Sequence, residues 1–170
     1  MSKGDYDRAI PDYDQATLLN PNEFGAFVNR GRAYFYRGNF RAGAADLLRA
    51  NELQEEPYTM IWRYLARERG GENGAAELEA NAARLKSADW PYPVIELYLG
   101  RRSSADLLSV AGKADQRCEA QFYIGEWHLL RGAHAAAAAA FRAAVNACSK
   151  DFKDFTEYTG ALAELKRLGF

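Results

Sequence analysis

Gly38-Asn39-Phe40, followed by Asp46-Leu47, Ala50 and Leu53, answers Gly4-Asp5-Tyr6, Asp12-Tyr13, Ala16 and Leu19 position for position, 34 residues further along the chain. Small and aromatic residues recurring at that interval mark a chain built from repeated helical hairpins. One hairpin cannot bury its apolar faces alone, so successive hairpins must stack and share a core. The spacing predicts an all-α protein.

Working outward, the clearest copy has a first helix expected over residues 23–37 and a second over 40–53, with Gly38-Asn39 turning between them. Gly31 and Ala50 fall where neighbouring helices must approach closely. Gly43 stands where the earlier copy has Ala9, and a helical glycine costs about 1 kcal/mol relative to alanine. It is therefore read as a packing residue. Residues 7–20 read as the second helix of a broken first copy, with Ala9, Ile10, Tyr13, Ala16 and Leu19 in a helical stripe and Pro11 weakening its first turn. Met1-Ser2 leads straight into a turn, so the sequence is expected to be trimmed and to leave apolar surface at Tyr6, Ile10 and Tyr13. That surface offers a homodimer interface, either that of a self-associating array whose first half-repeat pairs with another copy or an artefact of the trimming.

Beyond Pro57, Trp62-Arg63-Tyr64-Leu65-Ala66 reads as W-x-x-L-small. The period and this pattern together resemble the tetratricopeptide repeat (TPR). The resemblance implies a right-handed superhelix of antiparallel helical hairpins, closed by a C-terminal capping helix. Residues 75–86 are the expected second helix of this repeat, with Leu78, Ala82 and Leu85 inward. The period then slips. Gly31, Gly38, Leu47 and Ala50 find equivalents at Gly125, Gly132, Phe141 and Ala144, each 94 residues on, eight short of three periods. A short unit must intervene: helices over 92–99 and 105–110, introduced by Trp90-Pro91, with Ser104 as N-cap and Gly112 as stop. The whole chain then reads as a single array over 1–170. It comprises a partial repeat (1–20), repeats at 21–56 and 57–87, the irregular unit (88–114), a full repeat (115–149) and a capping segment (150–170), whose helix is expected over 155–168.

Composition narrows the function. A net charge of −1 gives no field to attract nucleic acid or an anionic membrane. No apolar run reaches the roughly 18 residues of a spanning helix, and the N-terminus carries no signal peptide. The histidines, His128 and His134, have no second metal ligand at helical spacing and read as packing residues. Gly70, Gly71 and Gly74 lack the spacing and the lysine of a phosphate loop. Acid pairs at Glu55/Glu56 and Asp151/Asp154 read as solvated turns. No nucleophile–base pair can be nominated, so the chain is read as a non-enzyme that needs no cofactor.

A closer resemblance rests on Asn29-Arg30-Gly31-Arg32-Ala33-Tyr34-Phe35-Tyr36, on Ile61-Trp62-Arg63-Tyr64-Leu65-Ala66 and on Val94-Ile95-Glu96-Leu97-Tyr98-Leu99-Gly100 in the short unit. Phe122-Tyr123-Ile124-Gly125 and Ala161-Leu162-Ala163-Glu164-Leu165 extend it. These segments resemble the NlpI-type TPR lipoproteins of the bacterial envelope, irregular period included. The resemblance implies a periplasmic, outer-membrane-tethered scaffold. Its partners would be a C-terminal-processing protease and peptidoglycan hydrolases. The alternative is a cytoplasmic TPR module that binds a peptide or helix in its concave groove.

By TPR spacing that groove would be lined by Val28, Arg32, Phe35, Tyr36, Arg63, Arg67, Phe122, Glu126 and Leu129. The arginines among them suit a partner's carboxylate, which guanidinium binds bidentately. Trp90, Tyr92, Tyr98 and Phe155 form either an exposed aromatic patch or the filling of the irregular junction, the latter favoured for Trp90 and Tyr98. Cys118 opens the first helix of the last repeat and Cys148 closes its second, so the two ends are neighbours in an antiparallel hairpin. They are either a disulfide, which would fit an oxidising compartment, or two buried free thiols.

Overall fold

The computed structural model describes residues 3–148 and 156–170, for residues 3–5 the backbone alone. Among these residues it contains ten α-helices and no strand: α1 (Lys3–Leu19), α2 (Phe24–Arg37), α3 (Phe40–Leu53), α4 (Pro57–Arg69), α5 (Ala75–Ala82), α6 (Tyr92–Tyr98), α7 (Ser104–Val110), α8 (Ala114–Leu130), α9 (His134–Cys148) and α10 (Thr156–Arg167). The fold is an all-α, TPR-type helical repeat. It divides into two compact units, Met1–Lys86 and Ser87–Phe170.

One turn joins the two helices of successive hairpins. At the C-terminus of α2, Gly38 takes φ +83°, its N–H donates to Phe35 O, and the Asn39 N–H donates to Tyr34 O. Gly71, Gly100 and Gly132 repeat this arrangement after α4, α6 and α8, each with positive φ and the same pair of backbone bonds. Only a residue without Cβ enters this left-handed corner cheaply, and the two bonds satisfy carbonyls that the helix end would otherwise leave open. The short unit α6–α7 is thus a hairpin of the same design as the longer ones.

In the first unit, α2 and α3 are locked by missing side chains. A Cβ on Gly31 would stand 2.8 Å from Leu47 Cγ, and one on Gly43 would stand 2.8 Å from Gly31 O. The pair lets two backbones touch, the role expected of Gly43. In the second unit the matching position, Gly125, is filled from across the hairpin by the ring of Phe141. There α10 packs on α8 and α9, and Tyr123 Oη donates to the buried Glu157 of α10 at 3.0 Å.

Several expectations shift. α1 begins at Lys3, inside the stretch read as a turn, and runs through Pro11. Tyr6 and Ile10 are buried, so the apolar surface expected there is internal; Leu18 and Leu19, at 73% and 83% exposure, are the apolar residues α1 presents to solvent. α5 ends at Ala82, four residues short of the expected end, and Leu85 is only partly buried. The N-cap of α7 is Ser103, whose hydroxyl accepts from Asp106 N; Ser104 is the first helical residue. Phe155, Asp151 and Asp154 lie outside the described residues.

Candidate protein-binding surface

The positions assigned to a groove fall in two sets, one on each unit. On the first, Val28, Gly31 and Phe35 are three, then four residues apart, a stripe that turns toward α3 where Gly31 meets Gly43 and Leu47. Val28 is accordingly buried with Phe27 and Ala50, and Phe35 has no exposed surface. Tyr36, at 5% exposure, is held between the Tyr6 ring, 5.0 Å away and stacked, and the Trp62 ring, 5.6 Å away and edge-on. On the second unit Phe122 and Glu126 are fully buried, Phe122 against Phe141, while Leu129 is partly exposed. Of the assigned apolar lining, Val28, Phe35, Tyr36 and Phe122 therefore build the core rather than an open groove.

The arginines divide differently. Arg63 sends Nε and Nη2 to the Glu77 carboxylate and Nη1 to Ala44 O, so it ties α4 to both α3 and α5. Arg67 donates to Glu72 at 3.0 Å and to Glu77. Burial alone would raise the Glu77 carboxyl, but the hydrogen bonds and charges of Arg63 and Arg67 outweigh it and hold it below the ordinary value. Glu72, through its hydrogen bond, holds Arg67 above its ordinary range, with Glu77 adding to it. Two of the three arginines expected to receive a partner's carboxylate, Arg63 and Arg67, are thus already neutralised within the chain. Arg32 is not. Its guanidinium lies 5.4 Å from the Trp62 ring centroid, and its buried Nε has no acceptor.

A second arginine was not anticipated. Arg30 on α2 grips Asp46 of α3 through two bonds of 2.7 Å and reaches Asp14 and Thr17 of α1. The Asp46 hydrogen bond leads in raising its pKa. No spacing within one helix signals it, because the partners lie 16 residues away on either side.

The remaining sequence candidates are accounted for locally. His134 is exposed, not packed; its counterpart Phe40 is partly buried. His128 is half-buried, and burial, then Arg131, push its pKa below the ordinary value. Tyr98 is buried, its hydroxyl donating to Tyr123 O, and Trp90 Nε1 donates to Glu119 at 2.6 Å, so both fill the junction. Cys118 and Cys148 are joined as a disulfide with Cα atoms 5.1 Å apart. An open depression of about 440 Å³ at the α4–α5 turn is lined by Tyr64, Glu68, Glu72 and Asn73. Its carboxylates are engaged, Glu68 by Gly74 N and Glu72 by Arg67. Burial, then Glu68, push the Tyr64 hydroxyl up to about 12. No group of three or more His, Cys, Asp or Glu among the described residues is placed to hold a metal. No described helix is long and apolar enough to cross a membrane.

What these residues make is a pair of stacked-hairpin units with aromatic interiors and internally balanced charge. The tetratricopeptide repeat family model matches residues 1–23, the stretch that contains α1. Repeats of this kind are generally non-catalytic and bind other proteins; the match and the hairpins together support a tetratricopeptide repeat protein.

Proposed function

We propose that the chain is a non-catalytic scaffold of the bacterial cell envelope, which holds a C-terminal-processing protease and peptidoglycan hydrolases together. The observation that carries the envelope half of this reading is the Cys118–Cys148 disulfide. Such bonds persist in the periplasm and are reduced in the cytosol. The adaptor half rests on repeats that present helical faces to other proteins. It also rests on the resemblance to NlpI-type lipoproteins, carried most sharply by Val94-Ile95-Glu96-Leu97-Tyr98-Leu99-Gly100 of the α6–α7 hairpin.

Two measurements test it. Thiol trapping of the protein in intact cells of the source organism should find both cysteines protected until a reductant is added; free thiols would move the protein to the cytoplasm and favour a cytosolic TPR module. Affinity capture from envelope extract, read by mass spectrometry, should enrich a C-terminal-processing protease or a peptidoglycan hydrolase. Capture of neither would end the adaptor reading. The Cys118→Ala/Cys148→Ala variant should be less stable by about 3–4 kcal/mol in chemical denaturation, the loop-closure value for a bridge of this span.

A further inference from the structure

We infer that Asn73, in the turn between α4 and α5, is a covalent modification site. Its amide converts to aspartate and isoaspartate through attack by the next backbone nitrogen, and the Glu68 carboxylate sets the rate by holding that nitrogen. This goes beyond the scaffold reading and does not rest on it.

The sequence supplies the reactive pair. Of the chain's asparagines, Asn73 is the one followed by glycine. Glycine favours the reaction because, without Cβ, its nitrogen is unshielded and its backbone turns freely. Gly74 N attacks Asn73 Cγ. A bond forms between them, the bond from Cγ to Nδ2 breaks, and Nδ2 leaves as ammonia with the proton that Gly74 N gives up. The product is a cyclic succinimide. Water then opens the ring at one carbonyl or the other, giving aspartate or, where the chain now runs through Cγ, isoaspartate. Nothing is oxidised or reduced, and water is the co-reactant. Asn73 is exposed, so water reaches it.

The structure supplies the restraint. Asn73 Oδ1 accepts from Ala75 N at 3.0 Å, a local bond that folds the side chain back over the intervening nitrogen. The amide is thus brought round toward Gly74 N. That nitrogen is not free to react, because its N–H donates to Glu68 Oε1 at 2.7 Å, a charge-assisted bond from the last turn of α4. To attack, Gly74 N must shed this proton, and shedding it beside a carboxylate sets two negative charges against each other. The bond also fixes the direction of the N–H, so turning the nitrogen onto Cγ breaks it. Gly74 itself is buried, and its carbonyl accepts from Leu78 N where α5 begins. Conversion would add a negative charge beside Glu68 and Glu72. As isoaspartate it would also lengthen the backbone of the turn that brings Glu77 of α5 to Arg63 and Arg67 of α4.

The test is long incubation of the whole chain at physiological pH and temperature, read by peptide mapping with mass spectrometry, which follows the amide-to-carboxylate mass change at Asn73. The folded wild type should convert about tenfold or more slowly than the chain in denaturant. Glu68→Ala removes the acceptor and should accelerate conversion of the folded chain about tenfold or more. Glu68→Gln keeps a neutral acceptor and should fall between the two. Glu72→Gln removes the neighbouring carboxylate, which binds Arg67 rather than Gly74, and should stay within about twofold of wild type. Asn73→Gln should abolish the signal. Hydrogen exchange on each variant shows whether α4 and α5 remain formed, so that acceleration with both helices protected is the effect of the lost bond and not of unfolding. Where Glu68→Ala loses that protection, Glu68→Gln decides. Equal acceleration by Glu72→Gln and Glu68→Gln would reduce the effect to a loosened turn and overturn the role of Glu68. So would an unchanged rate in both Glu68 variants, or a folded wild type that converts as fast as the denatured chain. Absence of conversion in the denatured chain would remove Asn73 as a site.

Discussion

Glycine 43 is where a single residue decides a contact between elements. Its missing Cβ lets the carbonyl of Gly31 approach, and a methyl there would sit 2.8 Å from that oxygen, which belongs to backbone and cannot swing aside. Gly43→Ala should gain about 1 kcal/mol of helix propensity and lose more to overpacking, which costs about 1–3 kcal/mol. Net destabilisation in chemical denaturation is the expected result; a more stable variant would mean the helices separate freely. The sequence foretold this role, because a glycine at a repeated small position has few other uses. It did not foretell Arg30, whose value depends on Asp14 and Asp46 arriving from two other helices.

Among the elements, α7 depends most on its cap. Its seven residues run from Ser104 to Val110, too short for propensity to sustain a helix alone. Leu107, its fully buried residue, provides the anchor. At its N-terminus Ser103 Oγ accepts from Asp106 N and donates to Asp106 Oδ2 at 2.6 Å. Ser103→Ala should therefore cost about 1 kcal/mol, with amide exchange accelerated first in α7; Ser104→Ala should be nearly silent. The one-residue error in the expected cap has a simple source. Two adjacent serines offer the same hydroxyl, and which one caps is set by where Leu107 must point to reach the core.

For the whole molecule, the two units are held by different chemistry and should respond to different insults. The second contains the Cys118–Cys148 bond. The first relies on ion pairs, with Glu77 between Arg63 and Arg67. Glu77 is held below its ordinary value of 4.5 in the folded chain. Its contribution is therefore complete above that value and is lost as pH falls through the depressed one. Melts at decreasing pH should show the first unit losing stability below about pH 4.5. Glu77→Gln should start about 2 kcal/mol less stable at neutral pH and should flatten that part of the acid response. An unchanged acid response in the variant would remove Glu77 from the account.

The local information in the chain determined its helices and its turns. A recurring glycine sets each corner, the apolar stripes set the helical faces, and the shortened interval announced an irregular unit. Those signals suffice because helix formation and the left-handed turn depend on near neighbours. What the tertiary structure alone decided is which face of each first helix is inside. Val28, Phe35, Tyr36 and Phe122, assigned by spacing to an open surface, are consumed by packing. Arg63 and Arg67 are consumed by Glu77 and Glu72. Burial and charge pairing are properties of residues brought together from separate helices. No repeat period encodes them, and they left Arg32 as the arginine of that group without a carboxylate.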